Sequence, residues 1–343
     1  MSAGELGTLL GEACALGIVA SEKEAGLALW EGAPDEAAVD RSVRTRARLA
    51  RSNASFALAA HRASLAEWLV ARLQLPRPGG RGVAAVQGRF GLGRLTLARY
   101  VAGAPLDADD RAMLADHYGG EERLLTGDDG FDWLVAPAVD GVGTVQWALH
   151  PRDALSLRRL PQPHGFDELA TLAFRAGAGS IIPALTTALD AAASAVRLGE
   201  ALALEALALV AIGLGAAERG HGLARAYAST RRQGGQAIER HPAVQLLLAS
   251  SRNAITTVQA QLESVARAPV GGAGLRRILS VRAEAHPLLC RAANDALQVF
   301  GGGGYMRDTG AEKVVRDENH LRLSGGSPPE LSLFVAESER LGG

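Results

Sequence analysis

One stretch of helix-forming apolar residues is so long that it must lie at the centre of a helical domain. Residues 201–217 read ALALEALALVAIGLGAA, and the surrounding pattern predicts a single helix over about 183–231. The apolar stretch is shorter than the roughly 20 residues of a membrane span, contains Glu205 and continues directly into a charged helix. We therefore predict a buried helix of a bundle and no membrane contact. The acid at its centre needs an explanation, because an unpaired buried carboxylate is costly.

The rest of the chain divides into three parts by periodicity. Residues 1–80 carry apolar residues at helical spacing and end in a Pro- and Gly-rich break, and residues 161–343 read as helices joined by short loops. Between them, residues 81–160 alternate short apolar runs with Gly, Pro and Asp, which is typical of strands, around one acid-capped helix at 107–118. The predicted strands are the runs at 82–90, 95–101, 133–139, 143–150 and 155–160. The predicted fold is mainly α with a small β domain: an N-terminal helical domain, a middle β domain and a C-terminal four-helix bundle.

Composition excludes several classes of function. The net charge is −1 without a long basic run, so we expect no nucleic-acid partner. Cys14 and Cys290 form no paired or metal-binding pattern, which together with an acidic N-terminal segment indicates a cytoplasmic protein. The histidines lack the spacing of metal ligands, so we predict no metal site.

The C-terminal region contains two segments with a distinctive arrangement of polar residues and glycines. The first, at 298–305, places Gln298, Phe300, Gly301 and Gly302 in a glycine-rich turn after a helix, and Arg316 and Asp317 follow it. The second, YASTRRQGGQAIERHPAVQ at 227–245, contains Arg231, Gln233, Gly235 and Gln245. Both segments resemble the C-terminal helices of the acyl-CoA dehydrogenase family, and the spacing between their parts also fits that family.

The resemblance implies FAD as cofactor and an acyl thioester such as an acyl-CoA as substrate. It also implies an electron-transfer flavoprotein as partner and a homo- or hetero-oligomer, a dimer or tetramer. In such relatives the arginine reaches the pyrophosphate of FAD bound mainly by a neighbouring subunit. The residues that the resemblance places beside the cofactor are Arg231, Gln233, Gln298, Gly301, Gly302 and Ser327. Two positions depart from the family pattern: Gly234 stands where an aromatic residue packs, and Pro242 replaces a glutamine.

The family's reaction needs a carboxylate base. At the position where most relatives carry that base, this sequence has no glutamate or aspartate. Many relatives carry the base in a Glu-Gly-Thr turn, which corresponds here to Gly325, Gly326 and Ser327. A minority branch carries the base on the long helix, about seven turns before the arginine. Counting back from Arg231 without a gap gives Glu205 as the corresponding residue. We expect burial to raise the pKa of Glu205 towards neutrality, which would suit a base. In the alternative interpretation, Glu205 faces outward or pairs with an arginine.

Three functions are compatible with these observations. The first is FAD-dependent α,β-desaturation of an acyl thioester with Glu205 as the base. The second is a catalytically degenerate partner subunit of a heteromeric acyl-CoA dehydrogenase, which the shortened N-terminal domain and the missing Thr-Glu-Pro and Glu-Gly-Thr motifs favour. The third is a non-redox activity on an acyl thioester.

Overall fold

A single long helix organises the computed structural model, which describes residues 2–15, 36–86, 93–119, 122–161, 164–176, 183–268 and 270–342. This helix, α6 (Ala191–Thr230), begins at Asp190, whose side chain accepts a hydrogen bond from the backbone N–H of Ala193. It packs against helices on several sides, and every residue of its most apolar 18-residue window is buried. Within the described part of the chain, α6 is the one helix long and apolar enough to cross a membrane. Its burial agrees with the prediction of a central bundle helix.

In the described part of the chain, three helices precede the β structure. They are α1 (Ala3–Ala15), α2 (Glu36–Ser52) and α3 (Ala54–Arg72). The periodicity over 40–75 predicts one helical run, and the structure divides it at Asn53. The Asn53 side chain accepts a hydrogen bond from the N–H of Phe56 at 2.8 Å and so caps α3. Residues 16–35 lie outside the described part of the chain.

Four helices follow α6 and build the rest of the bundle. They are α7 (Pro242–Ala266), α8 (Ala273–Val299), α9 (Ala311–Leu323) and α10 (Pro328–Gly342). Pro242 occupies the first turn of α7, where a missing backbone N–H costs nothing because that group has no helical partner. Helices α6, α7 and α8 pack on one another, while α9 and α10 pack on α8. The mainly helical fold with small sheets is confirmed.

Two three-stranded sheets form the middle of the chain. The first contains β1 (Gly82–Ala84), β3 (Trp133–Val139) and β4 (Val145–Pro151), and the second contains β2 (Arg123–Gly127), β6 (Ala170–Ala176) and β5 (Leu155–Arg159). A short hairpin, β7 (Arg232–Gln233) with β8 (Gln236–Ala237), follows α6. Leu134 on the first sheet and Phe174 on the second share one apolar cluster, whereas Trp133 and Trp147 are buried in the main helical core. The first sheet is therefore buried on both faces, and both tryptophans are core residues.

Two predictions about this region are wrong. The run at 95–101 is a helix, α4 (Arg94–Val101), rather than a strand, and it packs against α6 and α10. A short apolar run lacks the length that separates a strand from a buried helix. The segment after 161 is not all helical either, because β6 lies there and pairs with both β2 and β5. The acid-capped helix is confirmed as α5 (Ala108–Tyr118), with Asp107 as its cap.

The segment between β5 and β6 is fixed to α9 by charged residues. Asp317 accepts a hydrogen bond from the backbone N–H of Phe166 at 2.6 Å, and Arg316 pairs with Asp167. Gly165 has φ +86°, and a side chain there would overlap the backbone of Arg316. The Arg316–Asp317 pair thus joins the β domain to the bundle.

The contact of α6 with α2 requires a glycine at position 215, because a Cβ there would overlap the backbone carbonyl oxygen of Ala47. Gly215→Ala should lower the free energy of unfolding by about 1–3 kcal/mol through overpacking. Gly222→Ala on the same helix is the matched control, since a Cβ there meets nothing within 4 Å. That change should be neutral or stabilise the protein by up to about 1 kcal/mol. Urea titration of both variants measures the difference, and equal stabilities would contradict this packing.

Candidate functional site

Glu205 lies in a buried network of charged side chains between α6 and α3. Its Oε1 is 2.6 Å from Nη1 of Arg62, and its Oε2 is 2.7 Å from Nε2 of His61. The Glu205 and His61 side chains have no exposed surface, and that of Arg62 is 9% exposed. The carboxylate therefore pairs with an arginine, as the alternative interpretation of the sequence has it.

The hydrogen bonds define the protonation state of His61. Nε of Arg46 lies 3.3 Å from Nδ1 of His61, and a guanidinium can only donate, so Nδ1 is the acceptor. Nε2 of the neutral ring then carries the proton and donates it to Glu205. Burial is the main cause that lowers the pKa of His61, to about 4, which agrees with a neutral ring.

The predicted rise in the pKa of Glu205 is wrong. Burial alone would raise this pKa, but the attraction to Arg62 and the hydrogen bond from His61 outweigh it, and the pKa falls to about 2. A carboxylate with so low a pKa is a weak base. The sequence could not show this outcome, because both partners lie on α3, more than a hundred residues away.

A pocket of about 520 Å³ lies at the junction of the β domain and the bundle. Strand β2, the end of β1 and the turn between α9 and α10 form its walls, and Arg62 of α3 also lines it. Its volume is within the usual range for a small-molecule site. Residues from four separate elements bring positive charge to it: Arg62, Arg94, Arg123 and Arg322. Glu205 is not among its lining residues and lies behind Arg62.

The turn at Ser324–Gly326 lines this pocket and presents a carbonyl oxygen. The carbonyl oxygen of Gly325 accepts hydrogen bonds from Nη2 of Arg94 at 2.9 Å and from Nη1 of Arg282 at 3.1 Å. Gly326 has φ +117°, and a Cβ there would lie 2.5 Å from Nη2 of Arg94. Arg94 and Arg282 therefore lie against this turn and donate to the same carbonyl oxygen.

The polar groups next to this turn, on Ser327 and Glu330, lie at the start of α10 and bind each other. The backbone N–H and the hydroxyl of Ser327 both donate to Oε2 of Glu330, at 2.7 and 2.6 Å. Among the described residues that line the pocket, Glu330 is the one carboxylate. The hydroxyl of Ser327 is thus engaged in a helix cap, and its predicted contact with a cofactor stays a prediction.

His320 of α9 also lines the pocket and has a defined tautomer. Its Nδ1 is 3.1 Å from the backbone carbonyl oxygen of His164, which can only accept, so Nδ1 carries the proton. Nε2 is then the basic nitrogen of the ring. Burial lowers the pKa of His320 despite that hydrogen bond, which keeps the ring neutral.

The predicted cofactor-binding residues other than Ser327 gather at the far end of α6. Arg231 follows the last residue of α6, Gln233 lies in the β7–β8 hairpin, and Gln298 lies at the end of α8. The rings of Tyr227 and Phe300, 4.6 Å apart and stacked, hold the two helix ends together. At a rise of about 1.5 Å per residue, Arg231 is about 39 Å along the helix from Glu205. One subunit's Arg231 and Glu205 therefore cannot contact the same small ligand.

The residues at this end fit the phosphate part of a dinucleotide such as FAD. Arg231, Gln233 and Gln298 are exposed. A Cβ at Gly301, Gly302 or Gly303 would meet nothing within 4 Å, so an incoming group can approach this backbone closely. An exposed guanidinium beside open backbone suits a pyrophosphate presented by a neighbouring molecule.

Several residues of the pocket escaped prediction from the sequence. Arg62, Arg94, Arg123 and His320 carry no motif, and they come together only because α3, α4, β2 and α9 meet at the pocket. One signal was present: His61 and Arg62 interrupt an otherwise apolar helix, as Glu205 does. Within the described ranges, no group of three His, Cys, Asp or Glu residues could hold a metal ion.

Comparison with known proteins supports the interpretation of the fold. Residues 196–337 match the family model of the acyl-CoA dehydrogenase C-terminal domain. The probable acyl-CoA dehydrogenase YngJ of Bacillus subtilis is 28% identical over 131 residues, which are 38% of this chain and 34% of that protein. The 3-sulfinopropanoyl-CoA desulfinase of Paraburkholderia xenovorans is 29% identical over 125 residues, 36% of this chain and 32% of that protein. Each match spans about a third of the curated relative's length.

Solved structures share the fold over nearly the whole chain. Butyryl-CoA dehydrogenase from Megasphaera elsdenii superimposes with a TM-score of 0.69 at 14% identity, covering 96% of this chain and 88% of that one. The structure of PigA with FAD and proline gives a TM-score of 0.71 at 12% identity, covering 98% and 90%. At such identities these likenesses show the fold alone. The matched C-terminal domain and the curated relatives agree with these structures, and the chain resembles the acyl-CoA dehydrogenase family.

The stability of the protein should fall as the pH is lowered below about 6.5. Burial lowers the pKa of His61 and His221 to about 4 and that of His286 to about 3, so the unfolded chain binds more protons in this range. Burial raises the pKa of Glu318 well above its usual value, so in this range the folded chain binds a proton there that the unfolded chain does not. This proton offsets about one of the three extra protons that the histidines bind in the unfolded chain. The net expectation is a loss of at most about 3 kcal/mol per pH unit. Urea titrations at several pH values between about 5 and 7 test this, and a flat profile would contradict it.

Glu205→Gln should destabilise the fold. The change removes the charge that compensates Arg62 and Arg46, and breaking a buried pair in this way costs about 3–5 kcal/mol. Glu263→Gln, at an exposed position of α7, is the control and should change the free energy of unfolding by less than about 0.5 kcal/mol. A Glu205→Gln protein as stable as the parent would show that the network does not stabilise the fold.

Proposed function

We propose that this chain is a non-desaturating subunit of a mixed acyl-CoA dehydrogenase-type assembly. In this role it completes the assembly and contributes the Arg231 end to the FAD site of a sister subunit. The observation that carries the proposal is the absence of a carboxylate positioned as a base: among the described residues, neither place where the family holds one offers it to the pocket.

At the catalytic-loop position, the Gly325 carbonyl lies between two arginines. At the long-helix position, Glu205 is paired with Arg62, and its pKa is about 2. To act as a base, Glu205 would have to leave Arg62, and separating a buried pair is strongly unfavourable. Glu330 accepts two hydrogen bonds from Ser327 at the start of α10. These three observations support a pocket without the family's proton abstraction.

The opposite end of α6 has groups that could contact the FAD of a neighbouring subunit. FAD, when bound in the sister subunit, supplies the acceptor for the hydride in α,β-desaturation of an acyl thioester, with an electron-transfer flavoprotein as the next acceptor. The Arg231 guanidinium would pair with the FAD pyrophosphate across the interface, because its planar fork matches phosphate oxygens. The open backbone at 301–303 leaves room for that approach.

A second candidate function is favoured by His320. Its basic Nε2 belongs to a neutral ring that lines the pocket, and a neutral imidazole is a suitable general base near pH 7. In that case the chain would be a flavoenzyme with a histidine in place of the carboxylate.

The absorbance spectrum separates these two functions. The chain purified alone should be colourless, and co-expression with a family member that keeps its carboxylate should yield a stable, yellow mixed oligomer. In that oligomer Arg231→Gln should lower the FAD content or affinity by about tenfold, as expected for a lost charge-assisted pair. Arg267→Gln, exposed at the opposite end of α7, is the control and should leave the flavin content unchanged.

Two results would overturn the partner role. A chain that is yellow alone and is bleached by an acyl-CoA, with bleaching lost in His320→Gln, would establish the second candidate instead. Recovery of only homo-oligomers after co-expression with family members that keep their carboxylate would contradict the mixed assembly.

A further inference from the structure

The pocket at the domain junction carries more positive charge than the surrounding protein neutralises. Four arginines line it, and a fifth, Arg282, lies just behind the Ser324–Gly326 turn. Against these five guanidinium groups stand two carboxylates, Glu205 and Glu330. The described residues that line the pocket, together with Glu205 and Arg282 behind it, therefore carry a net charge of about +3.

Three of these five guanidinium groups are deeply buried, which makes the excess of positive charge costly. Arg94 and Arg123 are each 2% exposed, and Arg282 is 1% exposed. Burial lowers the pKa of Arg94 and Arg123 to about 10 and that of Arg282 to about 9, because a charge loses its hydration there. Cations are rarely held in this way unless an anion compensates them.

Some donors of these groups have no acceptor in the described protein. Nε of Arg62 is buried without a hydrogen-bond partner, and so are Nε and Nη2 of Arg282. Arg123 donates Nη1 to the carbonyl oxygen of Pro137 and stacks over the ring of Phe174, two neutral partners. Oxyanion acceptors would satisfy this donor set better than water alone.

Part of the pocket lining is apolar. Val86, Leu124, Leu125 and Leu323 form it, and Leu124 and Leu323 keep more than half of their surface exposed. A ligand that fills this space must therefore combine a charged end with an apolar body.

We propose that this pocket binds a small amphipathic anion, an organic carboxylate on a short apolar chain. The carboxylate lies among the arginines, and the chain lies against the leucines of β2 and α9. The ligand can be a free acid or a carboxylate carried on a larger molecule, since the pocket recognises the same chemistry in both. This binding does not depend on flavin or on turnover, so it holds whether or not the chain acts as a partner subunit.

Calorimetry on the purified full-length chain tests the proposal with probes that differ in charge. Hexanoate should bind, and hexanamide, which has the same shape without the charge, should bind at least about tenfold more weakly. Raising sodium chloride to about 0.5 M should weaken hexanoate and leave hexanamide unchanged.

Variants locate the site. Arg322→Gln removes an exposed pocket arginine with little risk to the fold and should weaken hexanoate about threefold to tenfold. Arg94→Gln should abolish measurable binding, provided that its circular dichroism matches the parent. Arg277→Gln, exposed on α8 and outside the pocket lining, should bind as the parent does.

Three outcomes would overturn the proposal. The first is equal affinity for hexanoate and hexanamide, and the second is hexanoate binding that Arg322→Gln does not change. The third is binding of coenzyme A or inorganic pyrophosphate, sensitive to Arg322→Gln, in the absence of hexanoate binding. That last result would assign the arginines to phosphate rather than to carboxylate.

Discussion

The structure depends on the pairing of Glu205 with Arg62 and His61 inside an apolar core. Helix α6 is buried along most of its length, and a carboxylate at its centre would be strongly unfavourable without opposite charge. Helix α3 supplies that charge, and Arg46 of α2 donates to the same histidine. Because the network needs three helices in one register, it links the N-terminal helices to the bundle. It also places Arg62 between Glu205 and the pocket, so the same contact that stabilises the fold withdraws the carboxylate from any bound molecule.

The length of α6 separates two regions that the family's chemistry would combine. The pocket lies at the β-domain junction, and the open backbone of the glycine-rich turn lies with Arg231 at the end of the helix. A rigid helix cannot bring them together, so one small ligand cannot contact both regions. The proposed partner role is compatible with this separation, because the Arg231 end would serve a ligand held by another subunit. The arginines of the pocket favour anions.

Much of the architecture was predictable, because it depends on local patterns. The periodicity predicted α6, α7 and α9, and the acids at 107–110 predicted α5. The misassigned segments, 95–101 and 170–176, are short apolar runs whose neighbours decide between helix and strand. Arg231, Gln233, Gln298, Gly301 and Gly302 lie at one end of the bundle, and their contact with a cofactor stays a prediction. The environment of Glu205 was predicted with the wrong sign of pKa shift, because its partners were not visible along the helix.

The sequence by itself determined the resemblance to the family, the central helix and a Gly325–Ser327 turn that contains no carboxylate, because these depend on residue identity and spacing. The tertiary structure alone decided what Glu205 does and what the pocket can hold. Both depend on electrostatics between residues far apart in the chain, and the energy of a charge depends on distance and burial. A glutamate in an apolar helix can be a base or one member of an ion pair. The contact of Glu205 with Arg62 of α3, which forms only in the folded structure, makes it the second.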